Sequence, residues 1–316
     1  MKISKKEYTF SSASGLADIY AESYTPENPA DVRAVVQIAH GMAEHIERYT
    51  DFANYLCSKG FAVFMNDHLG HGKSISDESE LGYFGEKDGY RDIVNDMKTL
   101  SDIAKTEYPD IPFIIFGHSM GSFLARSYCE KYGALIDGAV FSGTSGSNPA
   151  TPLAIKLASF VAKQKGSHYR SDFINTLAFG NYNKRFEGRT PFDWLTRDEN
   201  IVDKYIEDPH CGFLFTAAGF KDLFSLLKSV SSKSWYESIP YSLPILLISG
   251  AVDPVGDYSK GVAQVYKDLK DSGHKDVTLK LYDNSRHEVL NEISKDVVFA
   301  DVADWISKVV SSKNAE

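Results

Sequence analysis

Short, continuously apolar segments alternate with segments of helical periodicity along most of this chain. The apolar segments are "RAVVQIAH", "FAVFMND", "PFIIFG", "DGAVFSG" and "ILLISGAVD". A strand without polar alternation is suited to burial on both faces, which is the condition of strands in parallel sheets. Parallel neighbours need long crossover connections, which are usually helices. The order therefore predicts an α/β fold with a mostly parallel central sheet flanked by helices.

The segments between and around these strands complete the pattern. "KEYTF" and "ADIYAESY" predict an opening pair of strands, and "VTLKLYD" predicts a strand near the end of the chain. Apolar residues recur at helical spacing in "HIERYTDFANYLCSKG", "YRDIVNDMKTLSDIAKTEYP", "SFLARSYCEKYG" and "GVAQVYKDLKDSG". A final helix is predicted from "HEVLNE" to Trp305 and Ile306.

The regular alternation stops between about Thr144 and Trp235, where amphipathic stretches occur without a convincing strand. We interpret this region as an insertion, with an α/β core formed by residues 1–148 and 236–316 and a helical cap over 149–235. An apolar stripe in the cap either lines a tunnel for an acyl chain or packs against the core. The stripe consists of Phe213, Leu214, Phe215, Phe220, Leu223, Phe224 and Leu227.

Charge and cysteine content restrict the partners and the compartment. Acidic residues outnumber basic ones, 43 to 34, and the net charge of -9 repels phosphate backbones and anionic bilayers, so nucleic acid is not expected as a partner. No apolar run approaches 18 residues, and the opening segment lacks the apolar core of a secretion signal. Cys57, Cys129 and Cys211 are widely spaced, as expected of reduced thiols in the cytoplasm, and no Cys/His cluster has zinc-ligand spacing.

One predicted strand ends on a serine between two glycines. The residues Gly117-His118-Ser119-Met120-Gly121 match the G-x-S-x-G elbow and lie between a predicted strand and a predicted helix. The tight turn strains the serine backbone, and a β-carbon at either glycine would clash. The Ser119 hydroxyl is then presented beyond the strand, where the Met120 N–H can donate to a developing oxyanion. The alternative is a chance occurrence of a short pattern in a turn.

A serine nucleophile needs a base and an orienting carboxylate, and both follow later strands. Asp253 lies just past the strand "ILLISG", and Asp257 is a nearby competitor. His287 follows the last predicted strand and precedes the last predicted helix. The alternatives are a turn aspartate and a surface histidine. The order Ser119, Asp253, His287 agrees with the order expected after a G-x-S-x-G elbow.

The loop after "RAVVQIAH" is expected to supply a second oxyanion donor. Its Met42 N–H is the candidate, and Gly41 allows the chain to approach the site closely. His40 and His45 in this loop are interpreted as organising it by hydrogen bonds, with a role as base or metal ligand as the alternative. His68 and His71 in "DHLGHGKS" are interpreted as part of a polar loop over the core, because nothing supplies the further ligands that a metal ion needs.

Five segments together resemble a known family: "AHGMAEHIERY", "NDHLGHGKS", "GHSMGS", "GAVDPVGD" and "RHEVLNE", spread from residue 39 to residue 292. The chain resembles the α/β-hydrolase branch of monoacylglycerol lipases and bacterial lysophospholipase-like serine hydrolases. The resemblance implies the α/β-hydrolase fold with a helical cap, hydrolysis of carboxylic esters, and no metal and no cofactor. It also implies a triad of Ser119, Asp253 and His287, with Met42 and Met120 as oxyanion donors.

The sequence thus predicts a serine carboxylic-ester hydrolase that works through an acyl-enzyme on monoacylglycerol, lysophospholipid or a similar small acyl ester. The alternatives are a short-chain carboxylesterase, a serine aminopeptidase or a lactone or thioester hydrolase of the same fold, and a non-catalytic ligand-binding protein. Halide and epoxide hydrolases are disfavoured because they use a carboxylate where Ser119 stands. Membrane contact is expected to be at most transient and through the cap, and the sequence leaves the oligomeric state open.

Overall fold

Eight strands form one sheet in the computed structural model, which describes residues 2–313. The strands are β1 (Ile3–Ser11), β2 (Asp18–Pro26), β3 (Ala34–Ala39), β4 (Phe61–Asn66), β5 (Phe113–His118), β6 (Gly138–Ser142), β7 (Ile245–Gly250) and β8 (Val277–Tyr282). Their order is β1-β2-β4-β3-β5-β6-β7-β8. β2 is antiparallel to both of its neighbours, and the strands from β4 to β8 pair in parallel.

Ten α-helices connect and cover the strands within the described residues. They are α1 (Thr50–Ser58), α2 (Gly89–Glu107), α3 (Met120–Tyr132), α4 (Thr151–Lys165), α5 (Asp172–Phe179), α6 (Glu199–Glu207), α7 (Ala217–Val230), α8 (Lys233–Ser238), α9 (Lys260–Asp271) and α10 (Lys295–Lys313). None of them is at once long and apolar enough to cross a lipid bilayer.

Alternate side chains of the buried strands belong to two hydrophobic clusters, one on each face of the sheet. In β5, Ile114 and Phe116 join the cluster that contains α1 and α10, while Phe113 and Ile115 join the cluster that contains α2, α3 and α9. All six residues of β5 are buried. The continuously apolar strands therefore have the two-sided burial that their sequence predicts, and the α/β prediction is confirmed.

The carboxyl ends of β3, β5, β6, β7 and β8 lie side by side, because these strands are parallel neighbours in that order. The loops that follow them contain the predicted site residues, which are far apart in sequence. This edge of an open parallel sheet is where α/β proteins generally bind their ligands.

The start of the last helix differs from the prediction. "HEVLNE" contains a single 3-10 turn, Val289–Asn291, and α10 begins only at Lys295. Tertiary contacts hold this segment in another conformation: the His287 and Glu288 N–H groups donate to the carbonyl groups of Trp194 and Leu195. These partners lie outside the segment, so the local helical pattern is overridden.

Helices α4 to α8 all lie between β6 and β7, and within the described residues this stretch contains an isolated bridge, Arg170 to Thr216, but no strand. α7 packs against α4 and also against α3 and α2 of the core. The division at 149–235 stays a prediction, and its second limit falls inside α8.

Candidate active site

Ser119 occupies the sharp turn between β5 and α3. Its backbone has φ 53° and ψ -120°, a conformation that is strained for a residue with a β-carbon. The Ser119 N–H donates to the Ser142 carbonyl oxygen at 2.9 Å, which fastens the turn to the end of β6. The side chain is neither fully buried nor fully exposed. The turn therefore has the geometry that the elbow pattern predicts.

The two glycines of the elbow lie where the backbone is crowded. A β-carbon on Gly117 would clash with the Gly121 carbonyl group, and one on Gly121 would clash with the carbonyl oxygens of Ala39 and His40. The absence of side chains thus lets α3 approach both β5 and the end of β3. The same closeness brings the loop after β3 to the elbow, since a β-carbon on Gly41 would lie 3.2 Å from the Ser119 Cβ.

Asp253 and His287 meet beyond the ends of β7 and β8. His287 Nδ1 lies 2.9 Å from Asp253 Oδ2, and both side chains are buried. The other oxygen of Asp253 accepts the Val255 N–H at 2.8 Å. Asp257 is exposed, so of the two candidate carboxylates it is Asp253 that contacts the histidine.

Opposing effects act on the pKa of His287. Burial alone would lower this pKa, but the negative charge of Asp253 and the hydrogen bond to it outweigh burial, and the pKa is raised. The carboxylate also makes Nδ1 the protonated nitrogen, so Nε2 of the neutral ring is left with its lone pair. Next to it, burial lowers the pKa of His118 to about 4, which keeps that ring uncharged at neutral pH.

His287 lies close to the elbow without being hydrogen-bonded to it. The ring centroids of His287 and His118 are 4.7 Å apart, and His118 directly precedes Ser119. Within residues 2–313, no hydrogen bond joins Ser119 Oγ to His287. In unliganded enzymes, catalytic hydrogen bonds are often long and shorten only when substrate is bound.

Gly143 makes room for this histidine and was not singled out from the sequence. It follows β6 with φ 58°, and a β-carbon there would lie 2.9 Å from His287 Cε1. On another side, the Trp194 ring packs against the imidazole at a centroid distance of 5.3 Å. The position of Gly143 in "FSGTSG", at the end of a predicted strand, could have indicated its contact with His287. Nothing in the sequence around Trp194 indicated that this residue contacts His287.

The amides of Met42 and Met120 are the candidate oxyanion donors. Met120 is the first residue of α3, where N–H groups have no partner within the helix. Neither amide donates a hydrogen bond to any group in the part of the chain that the structure describes. The loop that contains Met42 is stabilised by a hydrogen bond within it, since the Gly41 N–H donates to Glu44 Oε1 at 2.6 Å.

A buried ion-pair network joins the loop of Met42 to the loop of His287. Arg48 donates to Glu44 Oε2 at 2.6 Å and makes a two-point contact with Glu288, at 2.7 and 2.6 Å. Burial alone would raise the pKa of Glu288, but Arg48 outweighs it and lowers that pKa to about 2. All three residues lie inside "AHGMAEHIERY" and "RHEVLNE", yet neither segment indicated that they pair.

Three of the four histidines in the two polar loops, His40, His68 and His71, contact each other and the backbone, whereas His45 Nε2 lies 2.8 Å from Asp208 Oδ2. His40 Nε2 accepts the His68 N–H at 2.9 Å, so its proton is on Nδ1, which donates to the Gly41 carbonyl oxygen at 2.8 Å. Burial lowers the pKa of His40 to about 3 and holds the pKa values of His68 and His71 well below the ordinary value. These three neutral rings organise the loops by hydrogen bonds.

Comparisons with known proteins agree with this architecture. A sequence profile of the family described as Serine aminopeptidase, S33, matches residues 30–294. A monoacylglycerol lipase of Mycolicibacterium smegmatis is 29% identical over 309 residues, covering 96% of this chain and 97% of the relative. A monoglyceride lipase of Mus musculus is 29% identical over 294 residues, covering 90% of this chain and 85% of the relative.

Solved structures of a lipase and an esterase are also similar to this chain. The carboxyl esterase of Bacillus coagulans, crystallised with glycerol, is 32% identical with a TM-score of 0.91, covering 97% of this chain and 99% of the esterase. A lipase in an open form is 28% identical with a TM-score of 0.88, with the same coverage. Because the family profile matches most of the chain and the fold agrees throughout, this chain belongs to the serine aminopeptidase S33 family and is a monoacylglycerol lipase-like α/β-hydrolase.

Proposed function

We propose that Ser119 is the nucleophile of this enzyme, that His287 is its base and that Asp253 orients the base. The observation that carries the proposal is the buried 2.9 Å contact between Asp253 and His287, beside a serine held in a strained turn. The chain is a serine ester hydrolase, since relatives of 28–32% identity over nearly its whole length are named as lipases or an esterase.

In the proposed mechanism, His287 Nε2 accepts the hydroxyl proton as Ser119 Oγ attacks the ester carbonyl carbon. The carbonyl oxygen becomes negatively charged and is stabilised by the N–H groups of Met42 and Met120. Asp253 stabilises the imidazolium, which then protonates the leaving alcohol as the carbon–oxygen bond breaks. Water hydrolyses the resulting acyl-enzyme by the same route and returns the proton to Ser119.

Ester hydrolysis is favoured over aminopeptidase activity, although the family description names the latter. An aminopeptidase needs a carboxylate to bind the free amine of its substrate. In the loops beside the site, the buried carboxylates of Glu44 and Glu288 are paired with Arg48, and that of Glu292 is paired with Arg197. These three carboxylates are therefore not available to an amine.

The proposed substrates are monoacylglycerols, lysophospholipids or similar acyl esters. Support comes from the names of the relatives and from the apolar stripe of the cap. Phe215, Phe220 and Leu223 are buried in the hydrophobic core. For these three residues, packing against the core is sufficient to explain why they are apolar. The partly exposed members remain as candidates for contact with an acyl chain: Phe213, Leu214, Phe224 and Leu227.

The proposed cap also has the surface expected for transient contact with a lipid bilayer. Four large apolar side chains on α4 and α5 are more than half exposed. They are Leu153, Phe160, Phe173 and Leu177. Between residues 149 and 186 the sequence has six basic residues and one acidic residue, in a chain whose net charge is -9. Binding of the protein to lipid vesicles tests this contact.

A cytoplasmic location is the remaining part of the proposal. Its support is that Cys57, Cys129 and Cys211 are all buried and free, as expected in a reducing compartment.

The test is labelling with a fluorophosphonate probe, followed by assays on short esters, monoacylglycerols, lysophospholipids and an aminoacyl amide. We expect labelling of the wild type, none of Ser119→Ala, and a loss of ester turnover of about 10³-fold or more. Ser311→Ala is the matched control, because Ser311 is exposed on α10. Labelling that survives Ser119→Ala would contradict the nucleophile, and amide turnover without ester turnover would identify a peptidase.

A further inference from the structure

Three side chains that could bind a metal ion form a cluster that does not include Ser119. The residues are His45, Asp208 and Cys211, and each has one potential ligand atom within 4.8 Å of those of the other two. His45 Nε2 and Asp208 Oδ2 are 2.8 Å apart. Sequence spacing gave no sign of this cluster, because 163 residues separate His45 from Asp208.

Hydrogen bonds fix the backbone around the cluster, both within residues 208–211 and between Gly212 and the loop of His45. The Cys211 N–H donates to the Asp208 carbonyl oxygen at 3.0 Å, and the His210 N–H donates to Asp208 Oδ1 at 2.8 Å. The Gly212 N–H donates to the carbonyl oxygen of Ala43 at 2.9 Å, which ties this turn to the loop of His45. The three side chains are thus positioned by the fold and need only small rotations to share one ion.

The surroundings suit a cation. A cavity of about 240 Å³ borders the three side chains and gives access to water. Arg48 also lines the cavity, and its charge is opposed by Glu44 and Glu288 at 2.6 Å each. Of the other charged residues that line the cavity, Glu47 is negative and Lys204 is positive. The carboxylates therefore outnumber the cationic groups around the cluster.

We propose that His45, Asp208 and Cys211 form a binding site for a zinc ion. Nitrogen, carboxylate oxygen and thiolate sulfur are all ligands of zinc, and three of them leave a fourth position for water from the cavity. Magnesium and calcium prefer oxygen ligands, so they are not expected to compete. On binding, the Cys211 thiol loses its proton to solvent and the sulfur forms a bond to the ion.

Such an ion would act on the loop that carries Met42. His45 belongs to this loop, and the neighbouring Ala43 carbonyl accepts hydrogen bonds from Gly212 and from the Tyr205 hydroxyl. Zinc would therefore link the loop to the segment around residues 208–212 and alter ester turnover. The site goes beyond the proposed function, and its binding is measurable in Ser119→Ala protein.

The test is titration of the metal-free protein with zinc and, separately, with magnesium in a calorimeter. Cobalt provides a second readout, because coordination by Cys211 gives a thiolate-to-cobalt charge-transfer band. We expect one zinc ion per chain and no magnesium binding. Cys211→Ser should lose the cobalt band and bind zinc at least about tenfold more weakly. His168→Gln is the matched control, since His168 lies outside the cluster and is exposed.

Two results would overturn the proposal: wild-type protein that binds no zinc, or zinc binding that is unchanged in Cys211→Ser. Should Cys211→Ser not fold, as judged by circular dichroism, Asp208→Asn replaces it, because Asp208 is only partly buried. Unchanged binding in that variant would be equally contradictory.

Discussion

At the scale of single residues, His287 shows how a carboxylate offsets the effect of burial on the pKa of a histidine. Burial opposes its charged form, and the Asp253 carboxylate more than compensates. The same carboxylate selects the tautomer, because Nδ1 donates to it. His118, which has no such partner, is kept neutral by the same burial. The difference between two adjacent rings thus depends on one carboxylate.

Asp253→Asn is expected to lower kcat/KM at neutral pH by about 10⁴-fold, because the amide no longer selects the reactive tautomer. It should also change the pH profile. In the proposed mechanism a protonated His287 cannot accept the Ser119 proton, so we expect wild-type activity to fall as the pH drops through a pKa above the ordinary value of about 6.5. Without the carboxylate, burial lowers that pKa and the inflection moves to lower pH.

Steady-state kinetics across the pH range measure both effects. Asp257→Asn is the matched control, since Asp257 is exposed four residues away. The assignment would be wrong if Asp257→Asn lost activity while Asp253→Asn kept it.

At the scale of elements, the site depends on loops that are joined to each other and not only to their strands. The loop after β3 and the loop after β8 are connected by Arg48, which lies between Glu44 and Glu288. The side chains of these three residues are between 4% and 11% exposed. Such a pair gives little net stability when formed, but removal of one partner leaves charge buried without compensation.

Arg48→Met is expected to reduce the free energy of unfolding by about 3–5 kcal/mol, because two buried carboxylates lose their partner. Arg48→Lys should fall between this variant and the wild type, since an ammonium group cannot make the two-point contact with Glu288. Urea denaturation measures stability, and kcat measured below the transition reports on the positions of Met42 and His287.

Arg189→Gln is the control, because Arg189 forms an ion pair with Asp203 at the surface and should change the urea midpoint little. An Arg48→Met protein with the wild-type midpoint and the wild-type kcat would show that the network holds neither loop.

At the scale of the whole molecule, net charge and local charge have opposite signs. The chain carries -9, yet the segment from residue 149 to residue 186 is basic and contains α4 and α5 with their exposed apolar side chains. Electrostatic attraction to a bilayer falls off within about a Debye length, so the nearest surface matters more than the total charge. The repulsion expected from the net charge therefore does not apply to this face.

We expect binding to vesicles of phosphatidylcholine with phosphatidylglycerol and weaker binding to phosphatidylcholine alone. Replacing Lys156, Lys163 and Lys165 by Gln should weaken binding to the anionic vesicles at least about tenfold, since each basic residue near such a surface contributes about 1 kcal/mol. Co-sedimentation with vesicles measures the bound fraction of the wild type and of the variant.

The control replaces Lys267, Lys270 and Lys275, which are exposed on or just after α9, by Gln. Equal losses in the two triple variants, or no vesicle binding by the wild type, would contradict docking through the proposed cap.

Much of the architecture was predictable because it depends on short-range patterns. β5 is buried on both faces because its residues from Phe113 to Gly117 are apolar or small. Gly117 and Gly121 are needed because a β-carbon at either position would clash with backbone carbonyl groups in this tight turn. The start of α10 was not predictable from the pattern in "HEVLNE", because backbone contacts with Trp194 and Leu195 replace the helical hydrogen bonds there.

The sequence by itself determined the alternation of elements, the elbow around Ser119 and the chain order of the proposed acid and base, because periodicity, turn chemistry and motif spacing are local. Only the tertiary structure decided that Asp253 and not Asp257 contacts His287, that Gly143 makes room for the ring and that Arg48 joins two loops. It also brought His45 to Asp208 and Cys211. These contacts join residues far apart in the chain, and their geometry follows from the packing of the whole sheet and its helices.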